Sequence, residues 1–269
     1  MGQETSQQLF DLRSNVALVT AGGHGLGLDI ASALAGAGAH VVLTSRTPQK
    51  AEAAAENLRT RYGIETLILP LDHRNHDDVA RCFAEAHAWK GRLDILVNNA
   101  GGGATGGATN FFERLPEDIE EMIAANLTGV IYCCQAAGRI MAAQGNGKII
   151  NISSIAAMVG RSRKLYHETG VAEQAVDYAA AKAGVLGLTR DLAAFLAPSN
   201  IQVNTISPGG FEKNQPRDFI DGYSALTMPG RMGKLGRDLK GAALFLASSA
   251  SDYVTGHNLV VDGGFTILK

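Results

Sequence analysis

Features of secreted, membrane-spanning and nucleic-acid-binding proteins are scarce in this sequence of 269 residues. Its three cysteines, Cys82, Cys133 and Cys134, form neither a CxxC pair nor a zinc-like spacing, so they predict buried packing residues. An odd number of cysteines without a disulfide framework is typical of a reducing compartment, and we expect a cytoplasmic protein. Residues 1–15 lack the apolar core of a signal peptide, and no apolar run has membrane-spanning length.

A strong charge of one sign is also lacking. The formal net charge is −2, and no block of basic residues occurs along the chain. This balance argues against nucleic acid or an anionic membrane as the main partner and leaves a small molecule as the expected ligand. Hydrophobic residues make up 46% of the chain and charged residues 19%, which is enough apolar material for a large core.

Apolar, β-branched segments alternate with alanine-rich segments from near the start of the chain to its end. The apolar segments predict strands at Val16–Thr20, His40–Thr44, Thr66–Leu71, Ile95–Val97, Lys148–Ile152, Ile201–Ile206 and Leu259–Val261. The alanine-rich segments predict helices at Gly25–Gly36, Gln49–Tyr62, His76–Trp89, Glu117–Ala143, Asp177–Ala197 and Gly236–Ala247. Near-continuous apolarity is typical of strands buried on both faces of a sheet. The sequence therefore predicts an α/β protein with a doubly wound, mostly seven-stranded parallel sheet and helices on both faces.

No linker divides this pattern. We predict a flexible N-terminal tail at residues 1–14 and a single domain at residues 15–269. Two segments, Val159–Val176 and Gly209–Gly233, interrupt the alternation, and each follows a predicted strand. They are expected to lie over the carboxyl ends of the strands, where ligands bind in such sheets.

A glycine-rich turn joins the first strand to the first helix. Glycines allow the backbone to approach a pyrophosphate closely, and the helix N-terminus offers free N–H groups to it. A tight turn without a ligand is the alternative. The residues expected to bind a dinucleotide here are Ala21, Gly23, His24, Gly25, Leu26 and Gly27.

The second strand ends at Ser45 and Arg46 rather than at a carboxylate. A carboxylate would accept hydrogen bonds from the adenosine ribose and favour NAD, whereas a hydroxyl and a guanidinium suit a 2′-phosphate. We therefore predict NADP as the preferred cofactor, with NAD as the alternative. Asp72 and His73 follow the third strand, and the Asp72 carboxylate is expected to meet the adenine amino group.

The run Asp72–Asp78 contains several potential metal ligands. Within it, Asn75 followed by Asp77 and Asp78 is the pattern of a capped helix with acids in its first turn. We assign the run to the cofactor site and the helix cap, and predict no metal.

Tyr178 and Lys182 have the spacing that brings two side chains to one face of a helix. A tyrosine with its ordinary pKa of about 10 is a poor proton shuttle near neutrality. A nearby ammonium favours the phenolate and is expected to lower that pKa. With Ser154 upstream, the three groups suit carbonyl reduction, although an exposed helix pair has the same spacing.

These elements resemble the short-chain dehydrogenase/reductase family in order and approximate spacing, from about Asn15 to Gly264. The resemblance rests on the glycine-rich turn, Asn98-Asn99-Ala100-Gly101, Asn126, Ser153-Ser154, Tyr178 with Lys182, Ser207-Pro208-Gly209 and Val261-Asp262-Gly263-Gly264. It implies a Rossmann fold and an oxidoreductase that interconverts a secondary alcohol and a ketone. Hydride transfer belongs to the cofactor, and the protein supplies position and electrostatics.

The resemblance also implies a role for each matching residue. Tyr178 is the expected general acid/base, and Lys182 is expected to lower its pKa and to bind the nicotinamide ribose. Ser154 is expected to hydrogen-bond the substrate oxygen, and Asn126 to hold a proton-relay water or, from its buried setting alone, to satisfy local backbone. The further residues expected to line the cofactor are Asn99, Ala100, Gly101, Pro208 and Gly209.

Two positions depart from the family pattern. Ala21 replaces the first glycine of the turn, at little cost if its φ is negative. Ser154 and Tyr178 stand 24 residues apart, about twice the usual gap. The inserted segment carries Arg161 and Arg163, which we expect to meet an anionic group of the substrate; a solvated loop is the alternative. Phe211, outside the insert, is a further expected substrate residue.

The long insert looks most like members of the gluconate 5-dehydrogenase type, with 3-oxoacyl-carrier-protein reductases second. A sugar acid or another anionic keto compound is therefore the expected substrate. A catalytically idle NADP-binding regulator is an alternative that the intact Asn, Ser, Tyr and Lys set disfavours. A sugar epimerase or dehydratase would need a larger substrate lobe than this chain offers after Pro208. Relatives imply a homotetramer or a homodimer.

Overall fold

Seven parallel strands form the central sheet of the computed structural model, which describes residues 5–103 and 107–268. The strands are β1 (Val16–Val19), β2 (His40–Ser45), β3 (Thr66–Pro70), β4 (Ile95–Asn98), β5 (Gly147–Ile152), β6 (Ile201–Pro208) and β9 (Asn258–Val261). Their order across the sheet is β3-β2-β1-β4-β5-β6-β9. Two short strands, β7 (Phe211–Glu212) and β8 (Gly233–Lys234), pair separately. The predicted parallel sheet is confirmed.

Helices cover both faces of this sheet. They are α1 (Gly25–Gly36), α2 (Glu52–Tyr62), α3 (His76–Lys90), α4 (Pro116–Ile123), α5 (Gly129–Gln144), α6 (Arg163–Thr169), α7 (Val176–Leu196), α8 (Arg217–Ser224) and α9 (Lys240–Ala247). Alternate strand residues point to opposite faces. In β1, Ala17 and Val19 pack with α1, α2 and α9, whereas Val16 and Leu18 pack with α3, α5 and α7.

The core helices and strands lie within a few residues of their predicted positions, with one exception. The helix predicted at Glu117–Ala143 is two α-helices joined by a π-helical turn at Ala124–Thr128. The elements that the sequence pattern missed are α6, α8, β7 and β8, which lie in or at the edge of the two segments that interrupt the alternation. Apolar side chains of α6 and α8 pack mainly on each other, so they do not show the periodicity of a helix packed on the sheet.

The described part of the predicted N-terminal tail, residues 5–14, packs against the domain. A 3₁₀ turn covers Gln8–Phe10, and the Leu12 side chain is fully buried. The Leu12 N–H donates to the carbonyl of Ala37, and the Ser249 hydroxyl donates to that of Leu9. These contacts join residues 5–14 to the domain. The domain boundary at residue 14 stays a prediction, and residues 1–4 lie outside the described residues.

Buried amides and hydroxyls join the middle of the sheet to α7. Asn98 Nδ2 donates to Asn151 Oδ1 at 2.9 Å, and Asn151 Nδ2 donates to the Thr189 hydroxyl at 2.9 Å. Thr189 in turn accepts from the Thr205 hydroxyl at 2.7 Å. Because buried polar groups need partners, this ladder fixes α7 across β4, β5 and β6.

The three cysteines are free and buried. Within the described residues, no helix is both long and apolar enough to cross a membrane.

Ala21, in the turn after β1, has a φ of 51°. The condition under which alanine would cost little at this position is therefore not met. A left-handed conformation brings Cβ close to the backbone and costs about 1–2 kcal/mol for a residue other than glycine. The turn thus carries local strain at the point where the chain leaves the sheet.

We expect Ala21→Gly to raise the free energy of unfolding by about 0.5–1 kcal/mol, because relief of the left-handed strain exceeds the added freedom of glycine in the unfolded chain. Urea denaturation measures the change. The matched control is Ala142→Gly on the exposed face of α5, where the same replacement should lower stability by about 1 kcal/mol. Equal losses at both positions would contradict the assignment of strain to Ala21.

Candidate active site

Two adjoining cavities form a groove over the carboxyl ends of the strands. The first has a volume of about 440 Å³ and contains Ser154, Tyr178 and Lys182 in its lining. The second, of about 420 Å³, extends to the ends of β2 and β3. Four residues line both cavities: Ala21, His24, Gly101 and Gly102. The groove therefore runs from the outer strands of one half of the sheet, past the glycine-rich turn, to the end of β6.

All of the predicted cofactor residues line this groove. The first cavity is lined by Ala21, His24, Gly25, Leu26, Gly27, Asn99, Gly101, Tyr178, Lys182, Pro208 and Gly209. The second is lined by Ala21, Gly23, His24, Ser45, Arg46, Asp72, His73, Ala100 and Gly101. The sequence thus predicted a set of residues that the fold brings together from five different strand ends.

The N-terminus of α1 opens into the groove. The first intrahelical bond runs from the Leu28 N–H to the His24 carbonyl, so the N–H groups before it are available to a ligand. Gly27 is needed for packing: a Cβ at this position would lie 2.5 Å from both the Ala21 carbonyl oxygen and Asn99 Nδ2. Asn99 Nδ2 also donates to the Thr20 carbonyl at 3.0 Å, which ties the turn after β4 to the turn after β1.

The second cavity carries several cations. Arg46 and Lys50 line it, and the Ser45 hydroxyl shapes the intervening turn by donating to the Thr47 carbonyl at 2.9 Å. Arg74, which the sequence did not single out, bridges Asp72 at 2.6 Å and Glu121 at 2.9 Å. The Arg74 guanidinium is the main reason that the pKa of Asp72 falls to about 2.

His73 is packed beneath this cavity. Its Nε2 lies 2.8 Å from the Ala125 carbonyl oxygen, and burial lowers its pKa. Asn75 accepts from the N–H groups of Asp77 and Asp78, which confirms the predicted cap of α3. No group of three or more His, Cys, Asp or Glu side chains within residues 5–103 and 107–268 is arranged to hold a metal ion.

Asn126 lies in the π-helical turn and is fully buried. Its Oδ1 accepts from the Gly102 N–H at 2.9 Å, and its Nδ2 donates to the carbonyls of Gly102 at 3.1 Å and Met122 at 3.2 Å. The structure therefore contains the expected hydrogen bonds between Asn126 and local backbone groups. The proton-relay water stays a prediction. Asn126 does not line either cavity directly; it holds the turn that does.

Lys182 is fully enclosed between α7 and the end of β5. Its Nζ donates to the Ile152 carbonyl at 2.9 Å, and its own carbonyl accepts from the Ser153 hydroxyl at 2.8 Å. Burial lowers the pKa of Lys182 to about 8. The amine lies 5.8 Å from the centroid of the Tyr178 ring.

Tyr178 is buried, and this burial is the main reason that its pKa lies above the ordinary value. The neighbouring Ser154 hydroxyl and the charge of Arg161 act on this pKa in the opposite direction. The role of Lys182 in lowering this pKa stays a prediction. Arg161, which comes from the insert, is a second cation that lowers it.

The two predicted arginines of the insert have different surroundings. Arg161 lines the first cavity and donates to Gln174 Oε1 at 2.7 Å and to the Ala175 carbonyl at 3.2 Å. Arg163 does not line the cavity; it is exposed and forms an ion pair with Glu173. The expectation that Arg163 meets the substrate is therefore not supported by its position. Phe211, the third predicted substrate residue, is buried and lines the cavity.

The sequence missed much of the cavity wall that lies away from Tyr178. These residues come from the insert, α8 and the C-terminal segment, and include Tyr166, Gln174, Lys213, Phe219, Tyr223 and Phe265. Except for Phe265, these residues belong to the two interrupting segments, and only that membership could have indicated their location. The first cavity has Arg161, Lys182 and Lys213 in its lining and, among the described residues, no Asp or Glu.

The groove has features that suit a dinucleotide. The N-terminus of α1 lies midway along it, Arg46 and Lys50 line one end, and the hydroxyls of Ser154 and Tyr178 line the other. Tyr178 and Ser154 can both direct a hydroxyl to one oxygen atom. Two donors on one oxygen stabilise the negative charge that develops as a carbonyl is reduced.

Comparison with known proteins agrees with this arrangement. A protein-family profile described as Enoyl-(Acyl carrier protein) reductase matches residues 20–266. The chain is 37% identical to 2-dehydro-3-deoxy-D-gluconate 5-dehydrogenase of Bacillus subtilis (strain 168), over 95% of this chain and 96% of the relative. It is 33% identical to the 3-oxoacyl-acyl-carrier-protein reductase FabG of Aquifex aeolicus (strain VF5), over 94% and 98%.

Among solved structures, a gluconate 5-dehydrogenase from Burkholderia cenocepacia J2315 in complex with NADP and tartrate is similar, with a TM-score of 0.86 and 36% identity. The match covers 97% of this chain and 99% of that one. These relatives are dehydrogenases and reductases that act on CH–OH and keto groups. The chain therefore belongs to the short-chain dehydrogenase/reductase family of oxidoreductases.

Proposed function

We propose that this protein is an NADP-dependent reductase of a ketone that carries an anionic group, such as the keto form of a sugar acid. One observation carries the proposal: the cavity that contains Ser154 and Tyr178 is lined by three cations and, among the described residues, by no acid. Such a lining favours a negatively charged substrate, because no neighbouring carboxylate in it offsets the positive charges.

In this proposal Tyr178 gives its phenolic proton to the carbonyl oxygen during reduction. Ser154, which lines the same cavity as Tyr178, donates to the same oxygen and holds it in place. Lys182 directs its amine across the Tyr178 ring and holds α7 against β5, so that the phenol and the serine stay aligned. Asn126 holds the Gly102 turn beside the groove and, by its family position, a proton-relay water.

The groove fits a nicotinamide dinucleotide. The N-terminus of α1 offers N–H groups to a pyrophosphate, and Gly27 lets the turns after β1 and β4 pack closely beside it. Arg46 and Lys50 would hold a 2′-phosphate, and Pro208 and Gly209 would border the nicotinamide. When bound, the cofactor supplies the hydride. The relative from Burkholderia cenocepacia, which was solved in complex with NADP, supports the preference for NADP over NAD.

Reduction of a 3-oxoacyl thioester is the second candidate. The far wall of the first cavity is formed by Tyr166, Phe219, Tyr223 and Phe265, which could pack against an acyl chain as well as a sugar ring. The Aquifex aeolicus relative supports this alternative. A panel of sugar keto acids, 3-oxoacyl thioesters and neutral ketones, each followed by NADPH oxidation, tests the proposal. Preference for neutral ketones or thioesters over keto acids would refute it.

We also propose that the protein is cytoplasmic and forms a homotetramer or a homodimer. The buried free cysteines suit a reducing compartment. Phe112, Phe195 and Tyr253 expose large apolar surfaces, as expected where subunits meet.

The cofactor preference is tested by Arg46→Ala. We expect the KM for NADPH to rise about 10- to 100-fold and the KM for NADH to change less than about twofold, because a charge-assisted contact to the 2′-phosphate is lost. Initial rates with both cofactors provide the measurement. Arg61→Ala, on the last turn of α2 and outside both cavities, is the charge-matched control. Equal effects on the two cofactors would remove Arg46 from the proposal.

The role of Arg161 is tested by comparing Arg161→Gln with Arg163→Gln. At pH 7 in the direction of reduction, Arg161→Gln should raise the KM for an acidic ketone about 10-fold or more and spare a neutral ketone. Arg163→Gln removes the same charge from the same insert and should change neither KM. The idea fails if Arg161→Gln affects the acidic and neutral substrates equally.

The pH dependence of alcohol oxidation is tested with a neutral secondary alcohol, so that carboxylate binding does not interfere. Oxidation needs Tyr178 as phenolate, and its rate rises with pH through the pKa of that residue. Because the charge of Arg161 lowers the pKa of Tyr178, Arg161→Gln should move the rise to higher pH. Rate profiles of the two proteins measure the shift; a shift to lower pH would be inconsistent with this arrangement.

A further inference from the structure

A buried ion pair lies directly beside the proposed proton donor. Arg114, just before α4, directs Nη2 to Asp177 Oδ2 at 2.5 Å. Asp177 is the second residue of α7 and immediately precedes Tyr178. The side chains of Arg114 and Asp177 are only 2% and 8% exposed.

Arg114 also holds the segment from which it comes. Its Nη1 donates to the Ala108 carbonyl at 3.0 Å, and its Nη2 donates to the Asp118 carbonyl at 2.9 Å. One guanidinium therefore fastens the chain on both sides of the start of α4 to the first turn of α7. Its planar fork of donors suits several acceptors in fixed directions.

Stability is a weak explanation for such a pair. Removal of two charges from water is costly, and well-packed apolar residues often replace a buried ion pair without loss of stability. Within the described residues, Asp177 Oδ1 has no hydrogen-bond partner, so the carboxylate is not fully compensated. The ion pair is costly to desolvate and leaves one carboxylate oxygen without a hydrogen bond. It is therefore better explained by a role in positioning the chain than by a contribution to stability.

The first turn of α7 needs an anchor. Tyr178 is the third residue of the helix, and residues of a first turn lack the backbone bonds that hold later turns. The N-cap residue is Ala175, which makes no side-chain capping bond. The chain enters this turn from the long insert, and the Lys182 amine fixes the helix only one turn later.

We propose that Arg114 is a positioning residue for the reaction. Through Asp177 it fixes the first turn of α7 and thereby the direction of the Tyr178 hydroxyl. The inference rests on the proposed role of Tyr178 as proton donor. A misplacement of about 1 Å at a reacting group can lower a rate about 100-fold, so a small movement of this turn is sufficient for a large effect.

Three variants separate positioning from stability. Arg114→Met removes the guanidinium, and Arg114→Lys keeps the charge. Arg114→Met with Asp177→Leu removes the Arg114–Asp177 pair and leaves no unpaired carboxylate at position 177; Asp118, 3.8 Å from Arg114 Nη1, is more exposed and can be solvated. Arg92→Met is the control, because Arg92 likewise pairs with a buried aspartate, Asp94, here through two hydrogen bonds, at the amino end of β4, opposite the groove.

Rates are measured with NADPH and the best ketone, at a temperature where circular dichroism shows each variant folded. We expect kcat to fall about 10- to 100-fold in Arg114→Met and to stay low in the double variant, with the KM for NADPH within about twofold. Arg114→Lys should recover part of the kcat, and Arg92→Met should keep the kcat of the parent even if its melting temperature falls.

A double variant with the kcat of the parent would overturn the proposal, whether or not Arg114→Met alone folds. Tyr178→Phe tests the premise separately. If Tyr178→Phe keeps its kcat, the proposed function fails first; if it loses activity while the double variant does not, only the role of Arg114 fails.

Discussion

The site depends on the burial of one amine. Lys182 Nζ lies out of water and must direct its donors to protein acceptors, and the Ile152 carbonyl at the end of β5 is one of them. The reciprocal bond from Ser153 to the Lys182 carbonyl joins helix and strand a second time. Because Ser154 continues from β5 and Tyr178 lies one turn before Lys182, these two bonds set the distance between the proposed donors. The low pKa of the amine is a consequence of the same enclosure.

In the proposed function, the insert between Ser154 and Tyr178 contributes to the chemistry as well as to substrate recognition. Arg161 reaches from it to the cavity, to Gln174 and to the carbonyl that precedes α7, and its charge acts on the phenol. The insert is therefore a folded connection. Its polar contacts reach Ala175, the residue that precedes α7, and α7 carries Tyr178. A substitution of Arg161 would therefore change both the wall of the first cavity and the pKa of Tyr178.

The sequence predicted the sheet and most helices, because strands buried on both faces appear as continuous apolar runs between alanine-rich helical segments. The motifs at the strand ends predicted the cofactor residues that line the groove. It could not predict α6 and α8, whose apolar residues such as Leu165 and Phe219 pack mainly on each other. Nor could it distinguish Arg161 from Arg163, since only the fold shows which of them pairs with Glu173. The pair of Arg114 and Asp177, 63 residues apart, and the positive φ of Ala21 likewise depend on tertiary context.

The π-helical turn around Asn126 limits how the chain can vary in length. A π turn contains one more residue than the α-helical turn it replaces, and each residue turns an α-helix by about 100°. A deletion that restored a regular helix there would rotate all of α5 relative to α4, so that the face carrying Val130, Cys133, Ala137 and Met141 would turn away from the sheet. It would also remove the amide that closes the Gly102 turn. Substitutions within this helix can be accepted one at a time, but loss of a single residue would alter the core and the groove together.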